Sequence, residues 1–127
     1  MSAEANKEIV RKVNEAFSNN DKEAFISCCA EDVKWHMNAT TVTGKDGIRK
    51  ALESVPFDPP PVLTIKHIIA DESGAACTGH CTMQNSKGES TNALFCDVYK
   101  IEDGRINELS SYIIDIKDDK NSFDKRK

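Results

Sequence analysis

The stretch STNALFCDVYKIEDGRINELSSYIIDI, residues 90–116, decides the fold. On either side of Glu102-Asp103-Gly104 the residues alternate as a strand requires. Ala93, Phe95, Tyr99 and Ile101 share one face, and Leu94, Cys96 and Val98 share the other. The pattern predicts two strands, over 90–101 and 105–116, folded back on each other at the Asp-Gly turn. Two more strands precede them, over 62–70 and 75–84, with Asp71-Glu72-Ser73-Gly74 and Asn85-Ser86-Lys87-Gly88 as turn-forming separators. Short separators make consecutive strands pair as antiparallel hairpins. At roughly ten residues each the strands exceed the usual length, and a sheet built from them must twist and curl.

The period changes toward the N-terminus. Pro56 and Pro59-Pro60-Pro61 end a helical pattern that follows Gly44 and carries Ile48, Ala51, Leu52 and Val55. Proline removes an amide donor and fixes φ, so a connector of polyproline character is expected there. Before it, Val33, Trp35 and Met37 alternate with Lys34, His36 and Asn38 as a half-buried first strand after Glu31-Asp32. Ile9, Val13 and Phe17 recur every four residues with Val10 and Ala16 beside them, which predicts a helix over 2–18 capped by Ser2. Ser18-Asn19-Asn20-Asp21 reads as a stop and a new cap for a short helix over 22–29 that buries Ala24, Phe25 and Cys28. Helices first and strands afterwards give an α+β domain, its N-terminal helices packed in a curved antiparallel sheet of conical shape.

Bulk properties bound the function. The 127 residues suit a single domain over 1–116, followed by a polar charged tail over 117–127. Lys and Arg total 17 against 21 Asp and Glu, so no broad basic surface exists for nucleic acid, and Lys125-Arg126-Lys127 reads as a solvated end. Five cysteines without a C-x-x-C pair suggest neither a disulfide framework nor a zinc site. The histidines, His36, His67 and His80, fall on three different strands without the spacing of a preformed metal site. No metal and no cofactor are expected. Without an apolar leader or a run of ~18 apolar residues, neither a secretory signal nor a membrane span is expected, and the cytoplasm is the default compartment. No nucleophile elbow, phosphate loop or dinucleotide fingerprint is present, and Cys77, Cys81 and Cys96 read as inert thiols.

The element order, together with A-E-D-V-K-W at 30–35 and D-V-Y-K-I-E-D-G-R-I at 97–106, resembles the nuclear-transport-factor-2-like superfamily, and within it the SnoaL-like cyclases and ketosteroid isomerases. The resemblance implies a cystatin-like roll with a pocket inside the cone. It does not imply one activity, because the scaffold hosts isomerases, dehydratases, hydrolases, cyclases and non-enzymes. In ketosteroid isomerases a carboxylate base, a tyrosine and a protonated Asp do the work. The same alignment puts Met37 where the base should be, Val13 where the tyrosine should be, and Asp97 at the protonated Asp. That mechanism is therefore disfavoured. Asp115 sits where SnoaL-like cyclases and related epoxide hydrolases carry a catalytic Asp, but Phe95 and Tyr99 flank Asp97 where an epoxide hydrolase needs an arginine.

Asp97 and Asp115 are thus the candidate acid/base residues, and Val13, Phe17, Trp35, Met37, Tyr99 and Ile113 the candidate ligand wall. Alternation puts Asp97 among apolar neighbours, where burial raises a carboxyl pKa. His36, opposite Trp35, is expected to point outward, as is His80, which shares a face with Ala76, Thr78 and Thr82. The expected ligand is a small, largely apolar molecule with a carbonyl or hydroxyl. If the protein is an enzyme, it is a cofactor-independent isomerase, cyclase or dehydratase. The alternative is a non-catalytic dimeric ligand-binding or interaction domain. Apolar residues on both faces of the sheet further predict a homodimer through it.

Overall fold

In a computed structural model, which describes residues 2–54, 59–84 and 87–116, three helices pack on one side of a six-stranded curved sheet that does not close. Helix α1 (Ala3–Ser18) begins at Ser2, whose hydroxyl accepts the Ala5 amide at 3.0 Å. It buries Ile9, Val10, Val13 and Ala16, the stripe read from the sequence. Asn20, with φ of 55°, turns the chain, and the Asp21 carboxylate caps α2 (Lys22–Ser27) through the Ala24 amide. Helix α2 is shorter than expected. Cys29 belongs to strand β1 (Cys29–Met37), and the Cys28 carbonyl accepts from Ile106 across the sheet at 2.8 Å. The helix stops where these backbone groups find strand partners.

Strand β2 (Thr40–Thr43), absent from the sequence reading, pairs antiparallel with β1 around Asn38, which takes a φ of 51°. Asn38 also ties this turn to the last strand, its amide donating to the Ser111 carbonyl and its side-chain oxygen accepting from Ile113. Helix α3 (Gly44–Glu53) buries Ile48 and Leu52. Val55, expected in its apolar pattern, and Pro56, expected to end it, lie outside the described residues, as do Asn85, Ser86 and the tail over 117–127.

The long strands match their expected spans closely: β3 (Val62–Asp71), β4 (Gly74–Gln84), β5 (Ser90–Glu102) and β6 (Arg105–Ile116). Each pairs antiparallel with the next. The Asp103-Gly104 turn has positive φ at both residues, 51° and 75°, the geometry a two-residue hairpin of right-handed twist needs. At the β3–β4 turn the Asp71 carboxylate accepts the Ser73 and Gly74 amides. The sheet order is β2-β1-β6-β5-β4-β3, so the first strand lies parallel beside the last. Irregular register between Cys29 and Lys34, Ile65 and His67, and Lys100 and Ile101 bends the strands, as bulges do. Helix α1 packs on β3 and β4, and α3 on β1 and β2, so the helices cover the concave face.

Gly79 is held to its identity by packing. A Cβ there would sit 2.3 Å from the Thr64 carbonyl oxygen and 2.7 Å from the Phe95 ring. Gly79→Ala is expected to destabilise the domain by about 1–3 kcal/mol, lowering Tm by roughly 5–10 °C, in calorimetry. An unchanged Tm would show that the strands separate there at little cost.

Candidate functional site

The register fixes which side chains meet on the concave face. Asp97 on β5 stands between Cys77 on β4 and Ser111 on β6, with Ala93, Phe95, Tyr99 and Ile101 along its own strand. Trp35 is brought alongside β6 by the parallel pairing of β1, and its indole N–H donates to Ser111 Oγ at 2.9 Å in a buried contact. Ser111 stands opposite Asp97 across the ladder, where its hydroxyl is the neighbour that favours the charged carboxylate against burial. Three strands thus contribute one short polar chain, Trp35 to Ser111 to Asp97, inside an apolar wall. The rings of Phe17, Phe25 and Trp35 meet one another in tilted and edge-on contacts, with centroids 4.9 to 6.1 Å apart.

Burial dominates the electrostatics. It pushes the Asp97 carboxyl up to about 6 from an ordinary 3.8, and the Ser111 hydrogen bond pulls part of the way back. Cys77, opposite it, is pushed up to about 11 by burial and then by the Asp97 charge, and Cys29 up to about 12 by burial and then by Cys28. These thiols stay protonated, as the sequence reading expected for Cys77. Tyr99 is raised well above its ordinary value by burial first and by Asp97 next.

The structure divides the expected site residues by depth. Val13, Trp35 and Tyr99 are buried, whereas Phe17 and Met37 are partly buried and Ile113 is 38 % exposed. Phe17, Met37 and Ile113 therefore mark the open end of the cone. Asp115, paired with Ala93, is exposed on the same side of the sheet as Asp97. It lies four residues beyond Ser111 along β6, which is about 13 Å at strand rise. The two carboxylates cannot touch one ligand atom together.

Ser111 is the polar residue the sequence reading passed over. Its signal was a serine at inward spacing from Leu109 and Ile113, and only its register with Asp97 gives that spacing meaning. His36 points outward as expected, its Nε2 2.5 Å from Glu108 and its Nδ1 2.9 Å from the Thr41 hydroxyl. His67 and His80 also lie on the convex side, paired with Thr78 and Thr64. Among the described residues no three His, Cys, Asp or Glu side chains converge as metal ligands. Two surface hollows of about 520 and 670 Å³ lie at the turn end of the sheet, around Glu72 and Ser73. Neither is lined by Asp97, and their acids are open to water, so the concave face carries the perturbed chemistry.

The sequence profile of the SnoaL-like domain matches residues 10–109. The chain belongs to the SnoaL-like domain family. No curated protein sequence matches it. Solved structures similar to this SnoaL-like chain share its fold. An NTF2-like protein of unknown function from Burkholderia pseudomallei has a TM-score of 0.80 at 22% identity, covering 87% of this chain and 91% of that one. TerC, co-crystallised with polyporic acid, has a TM-score of 0.77 at 20% identity, covering 84% and 89%. An LEH-like epoxide hydrolase of M. tuberculosis has a TM-score of 0.76 at 16% identity, covering 88% and 84%.

The Asp97 environment of this SnoaL-like domain makes its stability depend on pH. Because the carboxyl holds its proton more tightly folded than unfolded, the folded state carries more protons between about pH 4 and pH 6. Stability contributed by Asp97 is therefore present at low pH and lost as pH rises through that window. Asp97→Asn, which cannot ionise, should match wild type near pH 4 and exceed it by up to about 3 kcal/mol at pH 7. Thermal melts from pH 4 to pH 8 test this, and parallel profiles would refute it. Ser111→Ala removes the one hydrogen bond that lowers the Asp97 pKa, so carboxyl titration by NMR should move its midpoint above about 6.

Proposed function

We propose that this SnoaL-like domain binds a small, largely apolar molecule on its concave face and exchanges a proton between Asp97 and an oxygen of that molecule. The single observation that supports this reading is an acid inside an apolar wall beside Ser111, whose hydroxyl oxygen Trp35 engages, with its carboxyl pushed up to about 6. Such a group serves as general acid or base close to neutral pH. Phe17, Met37 and Ile113 meet the apolar body at the open end, with Val13, Trp35 and Tyr99 behind them. Asp115 stands at the mouth and serves a different part of the ligand or the approaching solvent. The reaction class that fits one buried acid without a second base is isomerisation, cyclisation or dehydration.

A second reading, ligand binding without turnover, is favoured by Met37 and Val13. They stand where related isomerases carry a base and a tyrosine, and neither moves a proton. Thermal shift of wild type and Asp97→Asn against polyketide-like ketones, lactones, epoxides and phenols separates the outcomes. A ligand at ~100 times its Kd stabilises by about 2.7 kcal/mol, a shift of several degrees. The expected result is a wild-type shift that weakens in Asp97→Asn. A shift equal in both proteins would remove Asp97 from the site, and binding without conversion of the compound would favour the non-catalytic reading.

We further propose that the convex face pairs with a second copy. Leu94 and Ile114 are cross-strand neighbours there, 42% and 67% exposed, with Val98 and Tyr112 beside them and Ile69 on β3. Lys34, Glu108 and Lys100 lie together toward one end of these strands, and Lys66 is exposed at the β3 bulge. The apolar patch at the Leu94 and Ile114 end does not repel its own copy in a chain of net charge -4, and stable pairing needs about 800 Å² from each partner. Wild type should sediment as a dimer and Ile114→Lys as a folded monomer. A monomeric wild type at micromolar concentration would overturn this.

A further inference from the structure

The hydroxyl of Tyr99 is the unfinished part of the interior. Tyr99 is 2% exposed, and among the described residues its hydroxyl has no hydrogen-bond partner. Leaving such a group unpaired costs about 1–3 kcal/mol, so a native fold seldom does so without use. Asn6 Oδ1 is also unpaired, but that side chain already donates to the Asp71 carbonyl at 2.8 Å and so ties α1 to the β3–β4 turn. Tyr99 has no comparable tie.

Its ionisable surroundings are Asp97, two residues away on the same face of β5, and the thiols of Cys77, Cys28 and Cys29. Thiols are weak acceptors. Asp97 is the strong acceptor in the group, and Ser111 already donates to it. Burial keeps the tyrosine protonated far above neutral pH, so it can donate a hydrogen bond but cannot act as a base.

Resting on the reading of Asp97 given above, we infer that Tyr99 and Asp97 together form a hydroxyl-binding subsite at the deep end of the concave face. A ligand hydroxyl donates its hydrogen to the Asp97 carboxylate and accepts the Tyr99 hydrogen on its oxygen. The unpaired Tyr99 donor and a remaining lone pair of the Asp97 carboxylate are both used by one alcohol or phenol oxygen. A ketone accepts from Tyr99 but offers Asp97 nothing at neutral pH. The subsite therefore selects alcohols and phenols over ketones of the same shape, with the apolar body lying toward Phe17, Met37 and Ile113.

The test compares 2-naphthol with naphthalene by titration at pH 7.5, using wild type, Tyr99→Phe and Asp97→Asn. Wild type is expected to bind 2-naphthol more tightly than naphthalene, and Tyr99→Phe to bind 2-naphthol roughly tenfold more weakly with naphthalene unchanged. Without ligand, Tyr99→Phe should melt at the same temperature as wild type or a few degrees higher, because it removes an unpaired buried hydroxyl. A lower melting temperature would show that the hydroxyl has a partner in the free protein and would overturn the inference. If Asp97→Asn removes the naphthol preference and Tyr99→Phe keeps it, the reading of Asp97 stands and Tyr99 is not part of the subsite. If wild type shows no naphthol preference, both fall.

Discussion

The parallel pairing of the first strand with the last is the constraint on which the rest of this structure depends. Hydrogen bonding between β1 and β6 places Trp35 opposite Leu109 and Met37 opposite Ser111, across more than seventy residues of chain. Without it the helical half and the hairpin half would share no backbone ladder. With it, α2 must end at Ser27 so that Cys28 and Cys29 can join the sheet, and the indole of Trp35 must face Ser111. Loop closure over such a separation is entropically costly, and the offsetting gain is the sealed interior around Val33, Trp35, Ile106 and Leu109.

That interior gives Asp97 its character. A carboxylate in an apolar wall resists ionisation, and folding tolerates it because Ser111 supplies a hydrogen bond without supplying a countercharge. A lysine or arginine in place of Ser111 would have held the acid ionised through the whole physiological range. A neutral partner leaves the protonation state open. The buried thiols, driven in the opposite direction from reactivity, add no competing nucleophile.

The sequence revealed the elements whose signals are local. The Ser2 cap, the stripe of Ile9 and Val13, the Asp103-Gly104 turn and the two faces of β5 follow from spacing alone, and each lies where that spacing indicated. Two kinds of feature were not legible. Strand β2 is only four residues long and depends on Asn38 taking a left-handed conformation, which asparagine can adopt but its presence alone does not signal. The role of Ser111 depends on register between strands that the sequence orders but does not align. Periodicity reports which face a side chain occupies, not which residue on the next strand it meets.

The same limit explains why alternation could place Asp97 and Asp115 on one face without giving the distance between them. Both point to the concave side, so a reading by face alone treats them as a candidate pair. The ladder sets Asp97 against Ser111 and Asp115 against Ala93, which separates the carboxylates by four residues along the strands. A pair of acids sharing one substrate atom must be adjacent across the ladder or two apart on one strand. The deep end of the concave face therefore carries one carboxyl, Asp97, with the neutral Ser111 hydroxyl opposite it. Such a site favours moving a proton on and off a single oxygen over the concerted push and pull that two facing carboxylates provide.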